Sequence, residues 1–322
     1  MQLQEIAQAL NRHDVFKAKQ AISTVFNTFG DCFSRFGIQN GDDAAAIADG
    51  QEGWLLLACE GILPALCEEN PELAGRSAVL ANVNDIYAMG GRPLAMVNVV
   101  GGKDQKALEA LLTGMRDNAL RFNVPIVGGH LDDSRSSTHV SLAVLGRAKA
   151  LISSFDARPG DALVLVTNLD GLWLRGPNFY NCTLPRHDPY LVRNLELIAK
   201  AAEAGLVLAG KDVSMAGVAG TLIMLCEGSK VGAILDLSQL PMPEGCHRHE
   251  DMEAWLRAFF SFGFLFAIRE EVYDAFVRPF REVGLSAERI GRITSEPRVV
   301  LTADHADPFP LYDIGSGAFL GV

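Results

Sequence analysis

Four segments rich in glycine and alanine, most of them carrying acidic side chains, constrain the fold of this chain more than any other feature. They are Gly41–Ile47 (GDDAAAI), Asn82–Pro93 (NVNDIYAMGGRP), Ile126–His130 (IVGGH) and Lys211–Gly220 (KDVSMAGVAG). A carboxylate flanked by glycine, alanine and apolar residues leaves water on folding. Its charge must then be compensated by a cation, a metal ion or several hydrogen-bond donors. Carboxylates beside open glycine backbone are typical of a site for Mg²⁺ and a polyphosphate.

Length and charge limit the class of protein. The chain has 322 residues, 49% of them hydrophobic, which is enough for one large or two ordinary domains with packed cores. Its formal net charge of −11 argues against broad binding to nucleic acid. An anionic small-molecule substrate stays compatible with this charge, because Mg²⁺ supplies local positive charge.

Cysteine spacing and hydropathy indicate the compartment. The six cysteines lie far apart without a C-x-x-C pair, so we expect reduced thiols in a cytoplasmic protein. The N-terminus is polar and periodic, unlike a signal peptide. No uncharged apolar run reaches the roughly 18 residues that a membrane span requires, so we expect no contact with a membrane.

Helices and strands alternate loosely in both halves, which favours an α+β or α/β fold with two domains, residues 1–150 and 151–322. Periodicity predicts two short helices within residues 1–30 and a hairpin over residues 44–59. Further strands are expected at 94–102, 139–148, 162–166, 232–237 and 262–268, and further helices at 104–122, 190–204, 251–260 and 271–283. A buried strand is expected at 124–129, running into a glycine turn, and a helix at 214–227, ended by Gly228.

The first two acidic segments each allow a structural and a functional interpretation. Asp42 and Asp43 form either a hairpin-entry turn or a carboxylate pair for Mg²⁺. Asp85 is the one charged residue in Ser77–Gly91, and its helical face otherwise carries alanine. A solvated helix face normally carries Lys, Glu or Arg, so this composition favours close approach by a backbone or a ligand.

The other two segments leave similar alternatives open. The turn at Gly128 and Gly129 would let backbone amides approach phosphate oxygens, and His130 is a metal ligand, a phosphate donor or a satisfied loop histidine. Asp212 is placed at or just before a helix start, where it either caps the helix or lies near a phosphate. Lys17 and Lys19 are either phosphate contacts or solvated helix lysines.

In this order and spacing, the four segments resemble the AIR synthase-like superfamily, which includes thiamine-monophosphate kinase, selenophosphate synthetase and the hydrogenase-maturation protein HypE. The resemblance covers roughly residues 30–320. It implies an N-terminal domain whose strands form a β-barrel with those of a second subunit, hence a homodimer, and a C-terminal α+β domain. ATP and Mg²⁺ are the implied cofactors, with ATP in a cleft shared by the two halves and the dimer.

The resemblance also assigns residues by position. Gly41 with Asp42 and Asp43 matches the first acidic segment of the family, and Asp85 and Asp212 match its later acids; all are implied to lie near Mg²⁺ and the phosphates. Gly128 and Gly129, followed by His130, match the phosphate-side glycines. Glu60 stands in ACEG, where thiamine-monophosphate kinases carry T-T-D, and becomes a further candidate metal ligand.

The implied function is ATP- and Mg²⁺-dependent phosphoryl transfer to an oxygen-bearing small molecule, releasing ADP. The first alternative is a nucleotide-binding scaffold without its own chemistry. Thiamine-monophosphate kinase or selenophosphate synthetase proper is the second alternative. Against it, His130 replaces the acid of G-G-D, and Cys32 lacks the lysine that follows the reactive Cys of selenophosphate synthetase. Candidate anion-binding arginines, among which the sequence offers no choice, are Arg35, Arg92, Arg147, Arg175 and Arg186.

Overall fold

The computed structural model describes residues 3–36, 39–133, 136–174, 179–183, 190–246, 249–316 and 319–320. Its helices are α1 (Leu3–Arg12), α2 (Asp14–Gln20), α3 (Ser23–Phe36), α4 (Pro64–Glu69), α5 (Pro71–Ala88), α6 (Gln105–Phe122), α7 (Leu191–Glu203), α8 (Gly217–Ser229), α9 (His249–Arg257) and α10 (Tyr273–Glu282). Its strands are β1 (Ala45–Ala48), β2 (Trp54–Gly61), β3 (Arg92–Gly101), β4 (Ile126–Asp132), β5 (His139–Ala148), β6 (Ala162–Thr167), β7 (Leu172–Leu174), β8 (Phe179–Asn181), β9 (Ala209–Asp212), β10 (Gly232–Asp236), β11 (Phe259–Phe260), β12 (Gly263–Ile268), β13 (Ser286–Thr294), β14 (Arg298–Ala303) and β15 (Ala306–Asp313). No helix of the described part is long and apolar enough to cross a membrane.

The described residues form two compact units, each mixing helices and strands as predicted. The first unit comprises residues 43–151 and 188–200, and the second comprises residues 1–42, 152–187 and 201–322. The sequence analysis placed residues 1–42 in the first domain; they pack instead in the second unit. The reason is the apolar stripe of α1, in which Leu3, Ile6 and Leu10 are buried. The amide of Asn11 then donates to the carbonyl oxygen of Leu311 on β15 at 2.8 Å.

The first unit is a five-stranded sheet in the order β1-β2-β5-β3-β4, with α5 packed over its central strands. Only β3 and β4 pair in parallel among these strands. Helices α5 and α6 cross closely at two glycines, because a Cβ at Gly75 would overlap the Leu111 carbonyl oxygen and one at Gly114 would overlap that of Glu72. This close crossing buries α5 on nearly all sides, including the face that carries Asp85.

Side chains of this sheet alternate between a covered and an open face. Leu56 and Ala58 of β2 and Leu142 and Val144 of β5 are buried on the face that α5 covers. The opposite face carries exposed apolar side chains at Ile47, Leu57, Val97, Val99 and Leu145. Among the described residues, nothing covers this second face.

Strand β4 differs from the prediction of a buried strand that ends in a glycine turn. It continues through Gly128, Gly129 and His130 in parallel pairing with β3, and it is an edge strand with Val127 and Leu131 exposed. The prediction interpreted Gly128 and Gly129 as a turn. Glycine also occurs within a strand where another group approaches the backbone closely. At Gly129 that group is Asn98 of β3, whose side-chain oxygen a Cβ would overlap.

The second unit is built on a seven-stranded sheet in the order β15-β14-β10-β13-β6-β12-β9. Every residue of β6 and β12 is buried, as expected for continuous apolar strands at its centre. A smaller sheet, in the order β11-β8-β7, packs tyrosine and tryptophan rings edge to face. Strand β15 was missed by the prediction, since its prolines and acids suggest a loop.

Two helix boundaries also need correction. Residues 14–36 form α2 and α3 rather than one continuous helix, with a turn at residues 21 and 22. Helix α8 ends with Lys230 in the left-handed conformation, φ 56°, and Gly228 lies inside it. That glycine is a packing residue, because a Cβ there would lie 2.9 Å from the carbonyl oxygen of Ser154.

Candidate functional site

Asp212 ends strand β9 in the second unit. All four residues of β9 are buried, and Asp212 pairs with Phe264 on β12. The prediction that Asp212 begins or caps a helix is wrong, since α8 starts five residues later at Gly217. The reason is that Val213 continues the strand direction and donates its N–H to the carbonyl oxygen of Gly263 at 2.8 Å.

The loop from Ser214 to Ala216 leads directly into α8. Ala216 and Gly217 both have left-handed backbone, at φ 83° and 63°, and a Cβ at Gly217 would overlap the Leu256 carbonyl oxygen. Ala216 at the N-cap position has no side chain that accepts from the first-turn amides. The amide of Gly217 donates to the carbonyl oxygen of Ser214 at 2.9 Å, and no N-cap side chain serves the other first-turn amides, so the start of α8 keeps partial positive charge beside the Asp212 loop.

Lys19 reaches the same loop from α2. Its ammonium donates to the Ser214 hydroxyl at 3.2 Å. The buried ring of Phe16 fixes α2, packing edge-on against Phe319 at 5.6 Å between ring centres. Lys17 instead forms an exposed pair with Asp14 at 3.3 Å, which fits a solvated helix lysine.

Lys211 is a charged residue that the sequence analysis missed. It is 4% exposed, and its ammonium lies 4.0 Å from Oδ1 of Asp42. The other carboxylate oxygen of Asp42 accepts from the Ser153 hydroxyl at 3.0 Å and the Ser154 amide at 2.9 Å. Gly41 supplies the turn before Asp42 with φ 111°, a conformation that favours glycine. The signal for Lys211 was present as a lone cation in the apolar run Val207–Val213.

The second unit thus brings several predicted residues together in one loop region. Asp42 contacts Lys211, which precedes Asp212 in the buried strand, and Lys19 contacts Ser214 two residues further on. Carboxylate, ammonium and uncapped helix amides are the groups that hold Mg²⁺ and phosphate in proteins.

In the first unit, Asp85 is buried as the sequence interpretation expected, at 6% exposed. Its neighbours on α5, Asn82 and Asn84, are buried as well, so the helix carries a polar strip inside the protein. Asp43 is half-buried just before β1. Acids in such positions need compensation from a cation or from hydrogen-bond donors.

The sheet separates the remaining predicted residues between its two faces. Glu60 and Gly129 lie in one cross-strand row on the covered face, with Leu142 and Asn98 between them. His130 pairs with Val99, so it lies on the open apolar face together with Gly128. The pairing therefore places His130 on the opposite face from Glu60. Asn98 is a polar candidate that sequence reasoning missed, because only the pairing shows it beside Gly129.

Two of the candidate arginines are held in ion pairs within the first unit. Arg92 contacts Glu196 at 2.9 Å, and Glu196 also accepts from the Tyr87 hydroxyl at 3.1 Å. Burial, and then the charge of Glu196, raises the pKa of Tyr87. Arg147 contacts Asp49 at 2.7 Å, and a backbone hydrogen bond from Gln51, followed by Arg147, lowers the pKa of Asp49. Arg175 and Arg186 lie outside the described residues.

Two cysteine thiols are poorly suited to nucleophilic chemistry. Burial raises the pKa of Cys182 to about 11. Burial, together with the charge of Glu60, raises the pKa of Cys59. Both side chains are protonated at neutral pH, and a thiol is a far weaker nucleophile than a thiolate.

The acidic candidates of the described part are spread out rather than clustered around one point. Within the described ranges, no three His, Cys, Asp or Glu side chains converge as a ready metal site. Mg²⁺ does not need such a cage, because it commonly takes one or two carboxylates and completes its shell with phosphate oxygens and water. The isolated carboxylates of this chain fit that mode.

Two family profiles match most of the chain. The profile "AIR synthase related protein, N-terminal domain" matches residues 41–148, and the profile "AIR synthase related protein, C-terminal domain" matches residues 158–304. An uncharacterised Synechocystis protein is 44% identical over 257 residues, covering 80% of this chain and 78% of the relative. The thiamine-monophosphate kinase of Pyrococcus horikoshii is 30% identical over 217 residues, covering 63% of this chain and 68% of the relative.

A solved structure shares the fold. The structure "AaThiL complexed with AMPPCP and TMP" superposes with a TM-score of 0.67 at 17% identity, covering 89% of this chain and 96% of that chain. The two-domain fold that the sequence resemblance implied is therefore confirmed.

Proposed function

This chain belongs to the AIR synthase-related protein family, and on that premise we propose that it catalyses ATP- and Mg²⁺-dependent phosphoryl transfer to an oxygen of a small molecule, releasing ADP. Relatives in the family carry the names of kinases and synthases. The observation that carries the proposal is the loop region after β9, where Asp212, Lys19 and the uncapped start of α8 occur together.

The groups in this region suit the phosphates of a nucleotide. The ammonium of Lys19 lies on the Ser214 hydroxyl, and both groups can donate to a phosphate oxygen. Uncapped amides at a helix start bind anions through hydrogen bonds and the helix dipole. Lys211, which precedes Asp212 in β9, lies 4.0 Å from Asp42 and supplies positive charge on the buried side of the loop.

We propose Asp212 in the second unit, and Asp43, Asp85 and Glu60 in the first unit, as candidate ligands of Mg²⁺, which needs only one or two carboxylates per ion. When bound, it would neutralise charge on the phosphoryl group being transferred. Asp42 belongs to the same predicted set, but its contacts with Ser153, Ser154 and Lys211 suit an anchor for the loop region. The protein's own contribution is positioning and charge compensation, which account for most catalysis of phosphoryl transfer.

A nucleotide-binding scaffold is the second candidate, and one observation favours it. His130 replaces the acid that related kinases carry after the glycine pair, and it lies on the open apolar face. A chain that lost one metal ligand in this way would still bind ATP. Tight ATP binding without ADP formation would favour the scaffold.

The test of the proposal is thermal unfolding with the non-hydrolysable analogue AMPPCP, with and without Mg²⁺. At about 100 times the dissociation constant, the analogue should stabilise the protein by about 2.7 kcal/mol. For units of this size that raises the midpoint by roughly 5–10 °C. ADP release is then measured with acceptors that include thiamine monophosphate, and ADP and AMP release with selenide, because relatives are named for these acceptors and a dikinase transfers two phosphoryl groups from one ATP. No shift at millimolar AMPPCP, with or without Mg²⁺, would contradict both nucleotide-using candidates.

We further propose that the protein is a homodimer through the open face of the five-stranded sheet. Ile47, Leu57, Val97, Val99 and Leu145 on this face are each between 39% and 50% exposed. Contiguous apolar surface of this kind marks an interaction site. A second copy that pairs with the edges β1 and β4 would close the barrel that the family resemblance implies.

Leu57→Lys is expected to shift the protein to monomer, because it places a charge in the centre of the proposed interface. Sedimentation velocity measures the change. Leu120→Lys is the matched control, since Leu120 lies on α6, away from this face, and is 74% exposed. A wild-type monomer, or a dimer that Leu57→Lys leaves intact, would exclude this interface.

We place the protein in the cytoplasm. All six cysteines are free thiols. Free thiols that persist without pairing are the state expected in a reducing compartment.

A further inference from the structure

The end of the seven-stranded sheet away from Asp212 carries a cavity of about 490 Å³. Ala162, the first residue of β6, lines this cavity, whereas Thr167 at the other end of β6 pairs with Gly263, next to the partner of Asp212. A strand rises about 3.3 Å per residue, so β6 separates the two regions by roughly 17 Å. The cavity is therefore distinct from the loop region that carries the proposed nucleotide chemistry.

A β-bulge sets the cavity's two arginines side by side. Arg289 pairs with Val164 and Arg292 pairs with Ala162, so both project to the same face of the sheet. In a regular strand, side chains three residues apart project to opposite faces. Here Ile290 is the extra residue of a bulge, so Arg289 and Arg292 project to the same face. The bulge depends on Gly291, where a Cβ would overlap the carbonyl oxygen of Ile234. Bulges commonly serve to re-aim a side chain.

The two arginines are held differently. Arg289 contacts Glu270 at 2.6 Å and lies over the ring of Tyr273, with 4.6 Å from the guanidinium carbon to the ring centre. It is thus fixed in place and largely neutralised. Arg292 forms no ion pair with any residue that the structure describes. The cavity therefore keeps one net positive charge in a chain whose formal net charge is −11.

We propose that this cavity binds a small phosphorylated molecule through Arg292 and Arg289. Thr294 and Ser295 also line the cavity, and their hydroxyls can donate to the same phosphate. The planar guanidinium group matches two phosphate oxygens at once. The volume lies in the range of small-molecule sites and exceeds what one phosphate group needs, which leaves room for an organic part.

Isothermal titration of the full-length protein with pyrophosphate tests this site. EDTA is present throughout, so that no Mg²⁺ contributes to binding, and the Arg292→Ala variant distinguishes this cavity from the loop region after β9. The wild type is expected to show saturable binding. Arg292→Ala should weaken that binding roughly 10- to 100-fold, the loss expected for one charge-assisted hydrogen bond.

Arg278→Ala is the matched control, because Arg278 is exposed on α10 and does not line the cavity. It removes the same charge and should leave pyrophosphate affinity unchanged. Saturable binding that only Arg292→Ala weakens supports the site. The site is excluded if the wild type shows no saturable binding, if Arg292→Ala leaves the affinity unchanged, or if both variants lose affinity equally, since equal loss reflects net charge alone. The outcome is independent of the proposed phosphoryl transfer, which requires Mg²⁺.

Discussion

Replacing Asp212 by Asn is expected to lower ATP turnover roughly 10²- to 10³-fold, the loss typical of removing one electrostatic contact to a transferring group. Asn keeps the shape of the side chain at the end of β9 but removes its charge. The Mg²⁺-dependent rise in unfolding temperature with AMPPCP should disappear in the same variant. ADP release with the most active acceptor, and thermal unfolding with AMPPCP, measure the two effects.

Asp274→Asn is the control for this experiment, because Asp274 is an exposed acid on α10. It should behave as the wild type in both measurements. The midpoint of Asp212→Asn without ligand is also recorded, so that loss of nucleotide binding is distinguished from loss of folding. If Asp212→Asn keeps full turnover and the full Mg²⁺-dependent shift, Asp212 does not hold the metal.

The sequence predicted helices and strands best where the local signals, such as alternating apolar residues or a capping residue, match the observed structure. Strand β5 was predicted at residues 139–148 and lies there, because its buried and exposed side chains alternate in a half-covered strand. Helix α6 was predicted within one residue of its start, since Asp104 caps it through the amide of Ala107 at 2.8 Å. Such local signals do not depend on distant neighbours.

The failures share a different physical origin. The packing of α1 against β15 joins residues about 300 apart, which no local pattern reports. Strand β9 carries Lys211 and Asp212 inside the protein, and two adjacent charges argue against a buried strand on hydropathy alone. The glycines of β4 look like a turn until Asn98 is seen beside Gly129.

The candidate site likewise has features that the local sequence predicts and features that depend on distant contacts. The absence of other charges around Asp85 correctly indicated its burial, because that signal is local. The roles of Lys211 and Asn98 depend on contacts with Asp42 and Gly129, which only the folded chain brings together. Sequence therefore identified acids better than the groups that compensate them.

The second prediction with a large effect concerns stability, and it rests on how Glu227 anchors the C-terminal segment. Glu227 on α8 is 6% exposed, and its two carboxylate oxygens accept from the amides of Phe319 at 2.9 Å and Leu320 at 2.7 Å. The ring of Phe319 packs against Phe16 of α2, the helix that carries Lys19. One buried carboxylate thus joins α8 and the chain end to the helix that supplies the ammonium of the loop region.

Glu227→Ala is expected to lower the free energy of unfolding by about 3–5 kcal/mol, because it leaves two buried amides without their acceptors and opens a cavity. Glu227→Gln keeps the volume and one acceptor oxygen, so roughly half of that loss is expected. Glu271→Ala, at an exposed acid, should change stability by less than about 0.5 kcal/mol. Denaturant unfolding followed by tryptophan fluorescence measures all three, since Trp173 and Trp255 lie in the second unit.

Wild-type stability in Glu227→Ala would show that the chain end is not held through this carboxylate. A loss of unfolding free energy that is larger in Glu227→Ala than in Glu227→Gln, and absent in Glu271→Ala, would assign the anchoring to the carboxylate itself.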